Sequence, residues 1–267
     1  MTLAVCATPI GNLEDVTLRV LAELRDADTV LCEDTRHTRG LLVRHGIEAR
    51  LLSYHEHNEA ARTAELLPRL AAGERIALVT DAGMPAISDP GARLVAAALE
   101  AGIEVTVLPG PSAVETALVA SGLVSGRYTF LGFLPRGAGA LNTLWQELAS
   151  SPWPSVAFES PRRLPATLRS LAAVDPSRPV AVCRELTKRF EEVARGTAAD
   201  LSTRFAEPPK GEIALVVGPG SAPEADESGA VSAVAELVIA GVPRRQASEL
   251  VARLTGTSKN RLYRSSL

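Results

Sequence analysis

In the first 120 residues, short unbroken apolar runs alternate with longer segments whose apolar positions recur at helical spacing. The runs fall at 3–7, 29–32, 76–80 and 105–108, and the helix-period segments at 17–24, 37–45, 59–70, 92–99 and 114–120. A continuous apolar strand is buried on both faces, and such strands separated by helices form parallel sheets covered on both sides. The strand-to-helix junctions carry TPIGN, DAGMPAISDPG and LPGPS. In open α/β sheets, ligands bind beyond the carboxyl ends of strands, so these three loops are expected to converge on one site.

The pattern breaks at 121–127, where GLVSGR intervenes. Apolar runs then recur at 128–133, 156–158, 180–185 and 213–217, between helix-period segments at 141–149, 162–172 and 198–205. A charged run occupies 188–195, and residues 190–195 fit a hairpin strand, so a mixed sheet is expected here. After Gly218 the composition turns small, polar and acidic (PGSAPEADESGA), as in linkers. From about Ser232 the pattern is helical throughout. The expected organisation is an N-terminal α/β domain over 1–121, a second α/β domain over 122–220, a linker over 221–231 and a helical tail over 232–267.

Charge separates the tail from the rest. The whole chain carries a formal −3, which speaks against a nucleic-acid binder. From Pro243 onward, however, six bases (Arg244, Arg245, Arg253, Lys259, Arg261, Arg264) face one acid, Glu249. That leaves +5 on the tail and −8 on the remainder. RRQASELVARLTGTSKNRLYR reads as a helix, a turn at 255–257 and a second helix capped by Thr257 or Ser258. It resembles a small helical nucleic-acid-binding unit, and a solvated capping pair fits equally well. Aromatics are only 4% of the chain, which disfavours a base-stacking platform. The three cysteines show no C-x-x-C spacing and imply free thiols. No signal-peptide pattern and no apolar run of about 20 residues occurs, so a cytoplasmic protein without membrane partners is expected.

Neither G-x-G-x-x-G nor a P-loop is present. Three Gly/Pro turns at equivalent strand ends point instead to a nucleotide-like ligand held by backbone groups. Ser112 opens a helix, where its hydroxyl can cap the helix or meet a polar ligand end. Glu33, Asp34 and Arg36 (CEDTR) sit where a strand meets a helix; one acid reads as an N-cap, and the other as a base or orienting group. All four histidines lie within 36–58, with His55 and His57 on one face if that segment is extended. No acid or Cys completes a ligand spacing, and no metal is expected. Asn58 reads as the cap of the next helix. In CRELTKRFEEVARG, helix-surface ion pairs are one reading, and Lys188 facing a phosphate is another.

Taken in order, ATPIGNLEDVTLR, CEDTRHT, SYHEHNE, TDAGMPAISDPG, LPGPSAVETALVASGL, FLGFLPR, FESPRRL, CRELTKRFEEVARGT and KGEIALVVG resemble the tetrapyrrole methylase superfamily. Within it they resemble the branch that methylates a cytidine ribose 2′-oxygen in small-subunit ribosomal RNA. The resemblance spans about 3–218, and the CEDTR and HEHNE blocks are those that point to the RNA-modifying branch. It implies a two-domain tetrapyrrole-methylase-like α/β fold, with a parallel-sheet N-terminal domain, a mixed-sheet second domain and a small helical C-terminal appendage. It implies S-adenosyl-L-methionine in the cleft between the domains, a homodimer, and ribosomal RNA as partner. Cofactor contacts would come from Pro9, Gly11, Asp81, Ala82, Gly83, Met84, Gly110, Ser112, Ala113, Glu159 and Ser160. Met84 stands where other members often carry a small polar residue, so its contact would be through backbone. Methyl transfer is a direct displacement in which the protein positions two reactants and a base assists the hydroxyl. Candidate catalytic groups are Glu33, Asp34, His55 and Glu185, with Arg36 or Lys188 steering phosphate or lowering the hydroxyl pKa; the CEDTR carboxylates are favoured as base. The competing readings are a methylase of small tetrapyrrole-like substrates, against which the basic tail argues, and a non-catalytic RNA-binding ribosome assembly factor.

Overall fold

A computed structural model describes residues 2–220 and 227–265. Strands β1 (Thr2–Cys6), β2 (Thr29–Cys32), β3 (Leu51–Ser53), β4 (Ile76–Leu78) and β5 (Glu104–Leu108) form one sheet in the order β3-β2-β4-β1-β5, and every pairing is parallel. Helices α1 (Leu18–Asp26), α2 (Thr35–Arg44), α3 (Glu59–Ala71) and α4 (Ala92–Glu100) cover it. Side chains alternate across a strand, and both faces are apolar here. Ala4, Cys6, Val30 and Cys32 pack with Val20, Leu24, Leu41 and Leu42 of α1 and α2. Leu3, Val5, Leu31 and Leu78 pack with Leu66, Leu70, Leu94 and Ala98 of α3 and α4. β5 departs from this pattern. It is an edge strand with Val107 53% exposed, so its apolar run is not covered on both faces. β3 has only three half-buried residues, too short a run to stand out in the sequence.

The second sheet contains β6 (Thr129–Phe133), β7 (Ser155–Glu159), β8 (Pro179–Arg184), β9 (Glu192–Thr197) and β10 (Ile213–Val217), in the order β6-β7-β10-β8-β9. It is mixed: β6 runs parallel to β7, and the other pairings are antiparallel. The charged segment after Cys183 is therefore the β8–β9 hairpin, and its ion pairs do not lie on a helix. Helices α6 (Ala138–Leu148), α7 (Leu164–Val174) and α8 (Ala198–Arg204) supply one face of the core, centred on Trp145, Leu164, Leu168 and Leu201. The other face is covered by α5 (Ala113–Ser121), through Val114, Ala117 and Leu118 against Val156, Ala181, Cys183 and Val216. By sequence α5 ends the first unit, but by packing it belongs to the second sheet. The turn at 109–112 thus leads from one sheet to the other.

In the tail, α9 (Glu227–Ile239), α10 (Arg244–Thr255) and α11 (Lys259–Ser265) enclose a small core of Ala230, Val234, Ala247, Val251 and Leu262. Of the expected linker, 221–226 lie outside the described residues, and α9 already begins at Glu227. Gly256 ends α10 in a left-handed conformation, within the expected turn. Among the described residues, no helix is long and apolar enough to cross a membrane.

Candidate active site

β4, β1 and β5 are neighbours, so the three Gly/Pro loops emerge side by side at their carboxyl ends. Backbone bonds tie the loops together. Thr8 N–H donates to Gly83 O (2.9 Å), Gly83 N–H to Thr8 O (3.1 Å) and Ala7 N–H to Leu108 O (3.2 Å). The Thr8 hydroxyl donates to Thr80 O at 3.0 Å. Opposite them lie the end of β7 and the start of β10. Between the two sheets is a cleft of about 570 Å³, within the range of small-molecule sites.

Eight of the expected contact residues line this cleft: Asp81, Ala82, Gly83, Met84, Ser112, Ala113, Glu159 and Ser160. Pro9, Gly11 and Gly110 are not among its lining residues. Pro9 is buried. A Cβ at Gly110 would lie 2.9 Å from Ala7 Cβ, so this glycine lets the β1 and β5 loops touch. Met84 also packs into the core beneath α4. The walls are apolar, with Ile10, Ile87, Phe133, Phe158 and Leu186. Phe133 is 64% exposed, and a register shift in β6 between Phe130 and Phe133 accompanies a left-handed Gly132 (φ +64°). Such an irregularity re-aims the following side chain, here into the cleft.

The six expected catalytic residues do not line the cleft. Asp34 caps α2, accepting the Arg36 N–H at 2.8 Å and the Arg36 guanidinium at 2.6 Å. Those bonds hold its carboxyl well below the usual carboxylate range. Arg36 is 88% exposed, and this cap accounts for it. The Asp34 N–H donates to Asp81 Oδ1 at 3.1 Å, which places the CEDTR turn directly behind the cleft wall. Burial, then the neighbouring Asp81, raise the Glu33 carboxyl. His55 belongs to the β3–α3 loop, where Asn58 Oδ1 accepts the His55 N–H (2.9 Å) and Asn58 Nδ2 donates to Ser53 O (3.2 Å). Asn58 therefore braces the loop and makes no side-chain cap to α3. The His55 and His57 rings meet edge to face, 6.0 Å apart. Lys188 Nζ donates to Glu185 Oε1 (3.0 Å) and Glu212 Oε2 (2.8 Å), so it touches the cleft only through Glu212. Burial alone would lower this ammonium, but the two carboxylates hold it above its ordinary value.

Glu159 is 3% exposed and its carboxylate is fully engaged. It accepts from Ser160 N–H (2.6 Å), the Thr167 hydroxyl (2.6 Å) and Arg163 (3.2 Å). Arg163 also donates to Leu134 O and Pro135 O, and α7 starts only at Leu164. The FESPRRL segment is thus an internally braced loop. α5 begins with no side-chain cap, because the Ser112 hydroxyl turns to Glu115. Its first residues, Ala113 and Val114, line the cleft, and the unpaired N–H groups of a first helical turn suit a carboxylate. Acidic Asp81 and Glu212 suit a cation, and the aromatic wall suits a flat ring. These groups fit a nucleoside with a zwitterionic tail. Among the described residues, no group of three or more His, Cys, Asp or Glu could hold a metal ion.

Asp89 and the apolar wall were missed as site residues. ISDPG reads in sequence as turn punctuation, and only the folded loop carries Asp89 inward.

Residues 2–202 match the family described as Tetrapyrrole (Corrin/Porphyrin) Methylases. The chain belongs to the tetrapyrrole methylase family. This methylase is 46% identical over 261 residues to Ribosomal RNA small subunit methyltransferase I of Mesorhizobium japonicum, covering 97% of this chain and 88% of the relative. It is 43% identical over 266 residues to the protein of the same name from Synechocystis sp., covering 98% and 95%. Among solved structures, uroporphyrin-III-C-methyltransferase from Thermus thermophilus aligns with a TM-score of 0.56 at 24% identity, covering 81% of this chain and 94% of that one. The methyltransferase CobJ aligns at 0.62 and 20%, covering 82% and 93%. These two establish the shared two-sheet fold of the methylase.

Proposed function

We propose that this methylase transfers the methyl group of S-adenosyl-L-methionine to the 2′-oxygen of a cytidine ribose in small-subunit ribosomal RNA. The observation that carries the reading is the cleft. Its loops are those of the TDAGMP, PGPSA and FESP blocks, in a chain similar over nearly its whole length to proteins named ribosomal RNA small subunit methyltransferase I. The backbone of 82–84 and the α5 N-terminus would hold the cofactor, with Ser160 closing from the second sheet. When bound, the cofactor supplies an already activated methyl group. The protein then has to align the hydroxyl, exclude water and accept one proton.

The basic tail is the proposed RNA-docking element, with Arg245, Arg253, Arg261 and Arg264 on its surface. The exposed β5 edge fits a homodimer, which light scattering would test. Incubating the pure protein with S-adenosyl-L-methionine and small ribosomal subunits lacking the modification, followed by nucleoside analysis, tests the reaction. Appearance of 2′-O-methylcytidine supports it. Methylation at another atom, or none, refutes it. Tight cofactor-independent RNA binding without transfer would favour an assembly factor.

A further inference from the structure

Four carboxylates line the cleft, and three of them have partners within the chain. Asp81 accepts the Asp34 N–H. Glu159 is engaged by Ser160, Thr167 and Arg163. Glu212 is ion-paired with Lys188. Asp89 has no hydrogen-bond or ion-pair partner among the described residues.

The loop that carries Asp89 is bent inward at a conformational cost. Ala86 (φ +71°) and Ser88 (φ +63°) are both left-handed without being glycine. Such residues persist where the surroundings over-determine them, often at functional sites. Here Ala86 N–H bonds to Pro90 O at 3.3 Å, closing a tight turn on the cleft side of β4. The charged groups facing Asp89 are Glu33, at the end of β2, and Asp81, at the end of β4. Both are acids. Burial, then these two carboxylates, push the Asp89 carboxyl up to about 7.

We propose that Asp89 is the general base for the reaction proposed above, accepting the proton of the attacking ribose hydroxyl. The inference rests on that reading. As the oxygen–methyl bond forms, the carbon–sulfur bond breaks and its electron pair leaves on sulfur. The hydroxyl proton passes to an Asp89 oxygen. The products are the 2′-O-methyl ribose, a neutral thioether and protonated Asp89, which returns its proton to solvent. Asp34 cannot serve, because its carboxylate is fixed by Arg36. Glu33 acts through its charge on Asp89, as a positioning residue.

An acid with a raised folded-state pKa destabilises the fold once it must ionise. Asp89 therefore lowers stability as pH rises from about 4 toward 7, and the loss is complete above that. The test compares wild type, Asp89→Asn and Glu33→Gln. It measures S-adenosyl-L-methionine affinity by calorimetry, single-turnover transfer to small ribosomal subunits from pH 5.5 to 9, and thermal midpoints across the same range. Asp89→Asn is expected to lose about 10²–10⁴-fold in rate and the acid limb of the pH profile. Its cofactor affinity should hold, and its midpoint at pH 8 should rise by about 2–4 °C. Glu33→Gln is expected to displace the acid limb to lower pH.

An Asp89→Asn enzyme with wild-type rate, or with its acid limb intact, overturns the base assignment. So does one that loses cofactor affinity but keeps full rate at saturation, which would make Asp89 a binding group. If wild type itself transfers no methyl group to the RNA, the function reading falls and the base falls with it.

Discussion

Gly11 lies so close to Lys188 that a Cβ at position 11 would fall 2.5 Å from the lysine Cγ. It would also lie 2.7 Å from Thr187 Oγ1 and 2.8 Å from Leu186 O. The adjacent Asn12 N–H donates to Thr187 Oγ1 at 2.9 Å. The β8–β9 turn of the second sheet is thus locked onto the TPIGN loop of the first, with Ile10 and Leu186 facing the cleft beside the lock. A backbone oxygen cannot swing aside as a side-chain end can. Gly11→Ala is therefore expected to cost about 1–3 kcal/mol of stability in denaturant titration, the usual range for overpacking. Calorimetry should show cofactor affinity weakened about tenfold or more, which corresponds to about 1.4 kcal/mol. Unchanged affinity would mean that the lock does not set the cleft.

The Thr167–Glu159 bond supports the opposite wall. Thr167→Val removes a 2.6 Å donor from a buried carboxylate that also orders the Ser160 N–H. Leaving such a group short of a partner costs about 1–3 kcal/mol. Thermal unfolding should show that loss, and cofactor affinity should fall with it. A variant as stable as wild type would show that water replaces the hydroxyl.

The parallel sheet was legible because β1, β2 and β4 are apolar on both faces and the junctions after β1, β4 and β5 carry Gly and Pro. Convergence of the three loops followed from their equivalent positions. What escaped was tertiary. Nothing local in Ala113–Ser121 says that this helix packs under the second sheet, because an apolar stripe does not name its partner. The CEDTR acids looked catalytic because two carboxylates beside an arginine are rarely all needed for one cap. In the fold, Asp34 and Arg36 satisfy each other, and Glu33 is not among the residues that line the cleft. Asp89 escaped because its inward direction depends on left-handed turns at Ala86 and Ser88, where sequence favours glycine.

Burial pushes the Cys183 thiol up to about 11 and the Cys6 thiol up to about 12. Both are free, as is the buried Cys32. The thiolate is the reactive form, so all three should resist alkylation at pH 7–8 in the native protein, although Cys183 lines the cleft. Thiol titration should find no fast-reacting group before denaturant is added and three afterwards. A rapid native reaction at Cys183 would show that the cleft opens in solution.

The RNA contact proposed for the tail can be tested apart from the cleft. α9–α11 have their own core, and Arg245 and Arg253 point to solvent from α10. Neither residue lines the cleft. If these arginines meet phosphates, each contact contributes about 0.7–0.9 to the slope of log affinity against log salt. Arg245→Gln combined with Arg253→Gln should then weaken RNA binding at low salt and flatten that slope by about 1.4–1.8. Cofactor affinity, measured in parallel, should not move, because that site is built from the two sheets. Filter binding at four or more salt concentrations gives the slope directly. A slope equal to that of wild type would place the phosphate contacts elsewhere, on the body of the protein, and would leave the tail as a capping unit whose charge serves solubility.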